Sequence, residues 1–126
     1  MSFMLSYSET TVDWQGHRGH LAILPVGACE QHGAHLPLDT DIRGASFFAR
    51  MLAEALGGAL LPALPFGTSL EHAGFRGSVT LRPETLMHLF HDVAVEMEEQ
   101  AFRILVLLNG HGGNFCLGPA IREWNR

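Results

Sequence analysis

Apolar runs alternate with helical patterns along this chain, and that alternation constrains its fold more than any other feature. Leu21-Ala22-Ile23-Leu24-Pro25-Val26 reads as a buried strand that stops at Gly27. Arg103-Ile104-Leu105-Val106-Leu107-Leu108 is the strongest strand signal and stops at Asn109-Gly110. Ala59–Leu64 is a weaker run, where Pro62 and Pro65 argue for an edge or a short pairing. Between them, Ile42–Leu56 reads as a helix with Phe47, Phe48, Met51, Leu52 and Leu56 as its buried face. Thr40 or Asp41 would cap it, and Gly57-Gly58 would stop it. A second helix starts at Pro83-Glu84 and buries Leu86, Leu89, Phe90, Val93 and Met97. A third opens over Leu117–Trp124, while residues 1–20 read as a mixed, polar lead-in. Strand, helix, strand, helix, strand, helix implies a three-layer α/β fold: a mostly parallel sheet with helices on both faces, in a single domain over residues 1–126.

The chemistry gathers where the two long strands end. In an extended segment side chains two apart share a face, so Glu30 and His32 point together and Cys29 and Gln31 point away. A carboxylate beside an imidazole is half of a first-row metal site. Asp41 stands at the start of the first long helix, free to reach back over the strand end, though it competes there for the role of cap. The last strand runs into Asn109-Gly110-His111-Gly112-Gly113-Asn114. Sites in open α/β sheets form beyond the carboxyl ends of strands, so the two strand ends suggest one shared crevice. Two carboxylates and two imidazoles without thiolates suit Zn, Mn or Fe(II).

Rival readings exist. The glycine-rich turn could cradle a phosphate, but it lacks the Gly-x-Gly-x-x-Gly spacing and the lysine of a P-loop. His88 and His91 are three apart on a helix, a spacing shared by metal pairs and by ordinary solvated faces. His17 and His20 read as solvent-facing. The loop from Phe66 to Gly77 carries Ser69, Glu71, His72 and Arg76, and His72 is placed to orient a ligand or a substrate.

Composition narrows the partners. A net charge of −5 with no basic cluster argues against nucleic acid or an anionic membrane. Two cysteines, Cys29 and Cys116, are too few for a disulfide framework. The first seven residues lack both a basic region and a long apolar run, so neither a secretory signal nor a membrane span is expected, and the location read from this is cytoplasmic.

Several motifs in order carry a family resemblance: Pro25-Val26-Gly27, Glu30-Gln31-His32-Gly33, His35-Leu36-Pro37-Leu38, Thr40-Asp41, Glu71-His72, Gly74-Phe75, Gly77, Thr80-Leu81-Arg82-Pro83-Glu84 and Leu108-Asn109-Gly110-His111-Gly112-Gly113-Asn114. From about Leu21 to Asn114 the chain resembles the creatininase (creatinine amidohydrolase) family. The resemblance implies two divalent metal ions, Asp41 bridging, Glu30 and His111 on one ion and His32 on the other. It places Ser69 where a substrate-contacting serine is found. The activity implied is hydrolysis of a non-peptide, often cyclic, amide C–N bond of a small molecule by a metal-activated hydroxide, in a homo-oligomer.

The resemblance also has departures. Family members are about twice as long, so the chain corresponds to the N-terminal half and its domain is expected to be incomplete at the C-terminus. Creatininase itself has a carboxylate ligand two residues after the last histidine, where this chain has Gly113. That argues against creatinine as the substrate and leaves the second ion short of ligands. Glu123, the only later carboxylate, sits in a helix and is poorly placed. Two alternatives follow: a truncated or degenerate member serving as an assembly subunit, and a peptide-trimming hydrolase of cofactor maturation.

Overall fold

The computed structural model describes residues 4–126. The part of the leader reading that concerns residues 1–3 lies outside them. Four strands form one sheet in the order β1 (Leu5–Ser6), β3 (Ala59–Leu60), β2 (Leu21–Val26), β4 (Ile104–Asn109), and every pairing is parallel. β2 and β4 pair from Leu21↔Ile104 to Val26↔Asn109, so their carboxyl ends lie side by side. That register is what brings the two chemical motifs together.

Strand alternation sorts the core into two layers. Ala22, Leu24 and Val26, with Leu105 and Leu107, pack against Leu86, Phe90, Ala94 and Met97 of α3 (Pro83–Glu99) and Leu117 of α4 (Leu117–Trp124). Ile23, with Val106 and Leu108, packs against Ala49 and Ala53 of α2 (Thr40–Leu56) on the other face. The three-layer, parallel reading therefore holds. Each fully buried large side chain, Leu86 among them, contributes about 1.5–3 kcal/mol of transfer free energy.

Several local expectations are corrected. The buried face of α2 is Ala45, Ala49 and Ala53, whereas Phe47, Phe48, Met51 and Leu56 are more than half exposed. The reason is the closeness of helix to sheet. A Cβ on Gly27 would lie 2.8 Å from Ile42 Cα, and one on Gly110 would lie 2.6 Å from the Asp41 carbonyl and 3.0 Å from Ala45 Cβ. Only alanines fit that gap; Leu52 packs partly buried beside them, as expected, and the other large side chains turn outward. The cap of α2 is Asp39, not Thr40 or Asp41, and its carboxylate makes no capping bond because it pairs with Arg43 at 2.8 Å. On α3, Leu89 is exposed and Ala94 takes the buried place.

β3 is short, as its prolines require, but it is interior and not an edge. The described part of the lead-in, from Met4 onward, forms regular elements too. Two-residue β1 has no period to read, and α1 (Thr11–Gly16) is a single turn and a half started by a reciprocal cap between Thr10 and Asp13. Trp14 of α1 packs on the α3 side of the core and donates its indole N–H to the Ser6 carbonyl at 2.9 Å. Among the described residues no helix is long and apolar enough to cross a membrane.

Candidate metal centre

Past Val26 the chain stays extended, with Cys29 bridging to Val79, and Glu30 and His32 project to one side as strand geometry requires. Asp41 lies in the first turn of α2, where Gly27 lets the helix start close over the strand end. His111 leaves the end of β4, with its ring buried. These four side chains, drawn from three elements, meet. His32 Nε2 is 3.1 Å from Asp41 Oδ1 and 3.9 Å from Glu30 Oε1. His111 Nδ1 is 3.0 Å from Asp41 Oδ2 and 3.2 Å from Glu30 Oε1. Asp41 thus faces one histidine with each oxygen.

Hydrogen bonds on the far side of each ring decide what the near side can be. The His111 Nε2–H donates to the Thr68 carbonyl at 2.9 Å, since a carbonyl only accepts. His32 stands between two acceptors, the Glu30 carbonyl at 3.2 Å from Nδ1 and Asp41 Oδ1 at 3.1 Å from Nε2, so a neutral ring donates to one and turns a lone pair to the other. In the neutral ring, His111 Nδ1 therefore turns its lone pair toward Asp41 Oδ2 and Glu30 Oε1. Glu30 Oε2 and Asp41 Oδ2 are buried without a hydrogen-bond partner. Lone pair against lone pair is repulsive unless a positive charge stands between. The backbone hydrogen bond from Glu30 raises the His32 pKa, burial opposes it, and Asp41 adds to the rise. A proton there relieves one contact; a divalent cation relieves them all. Separations of 3.0–3.9 Å also match neighbouring ligands on one ion with bonds of about 2.0–2.2 Å, so the residues fit a metal.

A second group, Glu30, Glu71 and His111, also brings ligand atoms within 4.8 Å of one another. Glu71 is exposed and stands 3.9 Å from His111 Nε2, the nitrogen already given to Thr68, so it does not compete for Nδ1. A Cβ on Gly113 would collide with the Thr68 carbonyl and His111 Nε2, and would lie 3.0 Å from Glu71 Oε1. Gly113 is thus required by the turn that carries His111. Ser69 is buried, and its Oγ lies 3.2 Å from His111 Nε2. His72, in the 3-10 turn Leu70–His72, approaches Glu30 Oε2 at 3.6 Å. His17 stacks on Phe102, His20 and His88 are exposed, and Glu123 pairs with Arg126; none of them reaches the cluster.

Sequence reasoning assigned no role to Asn114, which ties the floor of the centre together. Its Nδ2 donates to the Gly27 carbonyl at 3.1 Å and to Asn109 Oδ1 at 3.0 Å, and its Oδ1 accepts from Thr68 N–H at 2.9 Å. Thr68 in turn holds His111. A polar residue following a strand-end glycine turn was the available signal, but its partners lie 46 and 87 residues away.

Residues 7–126 match the Creatininase family, described as creatinine amidohydrolase. A mycofactocin precursor peptide peptidase of Mycolicibacterium smegmatis is 39% identical over 100 residues, spanning 75% of this chain and 40% of that protein. A creatinine amidohydrolase of Pseudomonas putida is 35% identical over 97 residues, spanning 73% and 37%. A solved creatininase with manganese superposes with a TM-score of 0.81 at 28% identity, over 97% of this chain and 53% of that one. Another solved creatininase, a variant of zinc–zinc type, gives a TM-score of 0.80 at 28% identity over 95% and 52%. The chain spans about half the length of these structures and less than half that of the curated relatives.

Proposed function

This chain belongs to the creatininase family, and from that premise we propose that it is a metal-dependent amidohydrolase whose centre is Glu30, His32, Asp41 and His111. The observation that carries the reading is the convergence of two imidazoles on the oxygens of Asp41 and Glu30, His111 having spent its N–H on the Thr68 carbonyl so that its lone pair faces both carboxylates. Asp41 spans two positions, with His32 at one and His111 and Glu30 at the other. Divalent ions bound there supply Lewis acidity that activates water and polarises an amide carbonyl.

The chain's own groups do the positioning. The Thr68 carbonyl fixes the His111 tautomer, the Glu30 carbonyl and Asp41 orient the His32 ring, and burial of Glu30 and His111 keeps water from competing for their ligand atoms. Ser69, against the His111 ring, is the substrate-side hydroxyl in this reading. The bond class is an amide C–N bond of a small molecule. A cytoplasmic location accords with the free thiols of Cys29 and Cys116, and homo-oligomerisation with the exposed Phe47, Phe48 and Met51.

The test is elemental analysis and hydrolysis on protein purified without chelator. About two ions per chain are expected, as in two-metal hydrolases. His111→Ala and Asp41→Asn should lose metal and, with it, release of product from an amide panel. The panel should hold a cyclic amide and a short peptide, and cleavage of the peptide alone would move the reading to peptide trimming. Hydrolysis that survives His111→Ala would sink it.

A further inference from the structure

Beside the centre lies an arrangement that neither the ligands nor the core account for. Gln31 sits between two candidate ligands in sequence but points away from them, half-buried. Its Oε1 accepts from the Gly33 N–H at 2.9 Å. A backbone N–H only donates, so the identity of that oxygen is fixed, and Gln31 Nε2 is the atom lying 2.8 Å from His72 Nδ1. An amide nitrogen also only donates, so His72 Nδ1 carries a lone pair. A neutral His72 therefore bears its proton on Nε2; an imidazolium would set N–H against N–H. That Nε2 lies 3.6 Å from Glu30 Oε2, the buried oxygen without a hydrogen-bond partner. The other oxygen of the same carboxylate, Oε1, faces His111 Nδ1 at 3.2 Å.

We propose that Gln31 and His72 are positioning residues for the metal centre. Gln31 locks His72 in the Nε2–H form, and that N–H, facing Glu30 Oε2 across 3.6 Å, draws the oxygen electrostatically to its side so that Oε1 is presented to the ion. Ligating carboxylates are commonly oriented by outer N–H groups, which set which oxygen is offered and in what direction. Gly33, at φ 72°, makes the turn that brings its N–H back onto Gln31. The lock is therefore built from the same segment that carries Glu30 and His32.

The inference rests on the metal-centre reading, and two measurements separate them. Long-range proton–nitrogen correlation spectra of the metal-free protein with isotope-labelled histidine read the His72 tautomer. Calorimetric titration with Zn2+ reads affinity. The wild type should show His72 protonated on Nε2, and Gln31→Leu should show a mixture. His72→Leu should lose about 10–100-fold in Zn2+ affinity. His72→Gln, whose amide N–H stands near the place of Nε2, should restore most of it; a role in packing alone would not distinguish the two. Should His72→Leu fail to fold, Gln31→Leu carries the affinity test, with weaker binding expected. A proton on Nδ1 in the wild type, or Zn2+ affinity unchanged in the folded variants, overturns the proposal. A wild type that takes up no Zn2+ overturns the metal reading instead, and the tautomer alone then decides whether the Gln31–His72 lock exists.

Discussion

Asn114 binds the ends of β2 and β4 and the loop at Thr68 at once. It is nearly fully buried, and it spends both amide protons and its oxygen on Gly27, Asn109 and Thr68. A Cβ on Gly67 would collide with Asn114 Oδ1 and lie 2.6 Å from the Gly27 carbonyl, so the glycine is needed for this junction to close. Asn114→Ala leaves the Thr68 N–H and the Gly27 carbonyl buried without that partner, at about 1–3 kcal/mol for each group so left. Urea denaturation should therefore show a loss of about 2–6 kcal/mol. A change below about 0.5 kcal/mol, the scale of an ordinary surface substitution, would contradict the role. At this scale the sequence showed only part of the centre. Glu30 and His32 were legible because strand alternation is local stereochemistry. The parts played by Thr68, Asn114 and the Gln31–His72 contact were not, because each depends on a partner distant along the chain.

Helix α2 separates a periodic pattern from the use made of it. Its apolar residues do recur at helical spacing, yet the face on the sheet is Ala45, Ala49 and Ala53. Ala49 is fully buried, so Ala49→Leu should cost about 1–3 kcal/mol or more through overpacking against β2 and β4. Phe48, 59% exposed, should tolerate Ala with a change within about 0.5 kcal/mol. Chemical denaturation of the two variants checks the order, and the reverse order would restore the face expected from periodicity. The N-terminal element makes a separate prediction. Glu9 is held below the ordinary carboxylate range by donation from the Ser6 hydroxyl and N–H, and Asp13 in the same way by Thr10. A depressed folded pKa contributes stability that is present above the ordinary value and is lost as pH falls through the depressed one. Amide exchange in α1, corrected for intrinsic rates, should therefore accelerate relative to β2 and β4 between about pH 6 and about pH 3. Equal protection at both ends of that range would refute it.

Over the whole molecule, the candidate ligands come from the end of β2, the start of α2 and the end of β4. A cation bound there would stabilise the folded chain against the unfolded one. At free Zn2+ of about 100 times Kd the gain is about 2.7 kcal/mol, a rise of roughly 10 °C in Tm. Thermal unfolding with Zn2+ and with chelator should differ by that amount, and Asp41→Asn should remove the difference. Identical melting in both would show that no ion bridges these elements. The fold class was legible from the chain alone because strands and helices alternate, and parallel strands need helical crossovers. That β2 ends in the right place to offer Glu30 and His32 together was legible as well, since a period of two is built into the backbone. The shared crevice of Glu30, His32, Asp41 and His111 was expected from the paired strand ends, but which face of α2 meets the sheet, how closely Asp41 and His111 approach Glu30, and the place of His72 beside it were decided only by tertiary structure. Those contacts depend on the β2–β4 register and on how closely a helix can approach two glycines, and neither is encoded in any local window of the sequence.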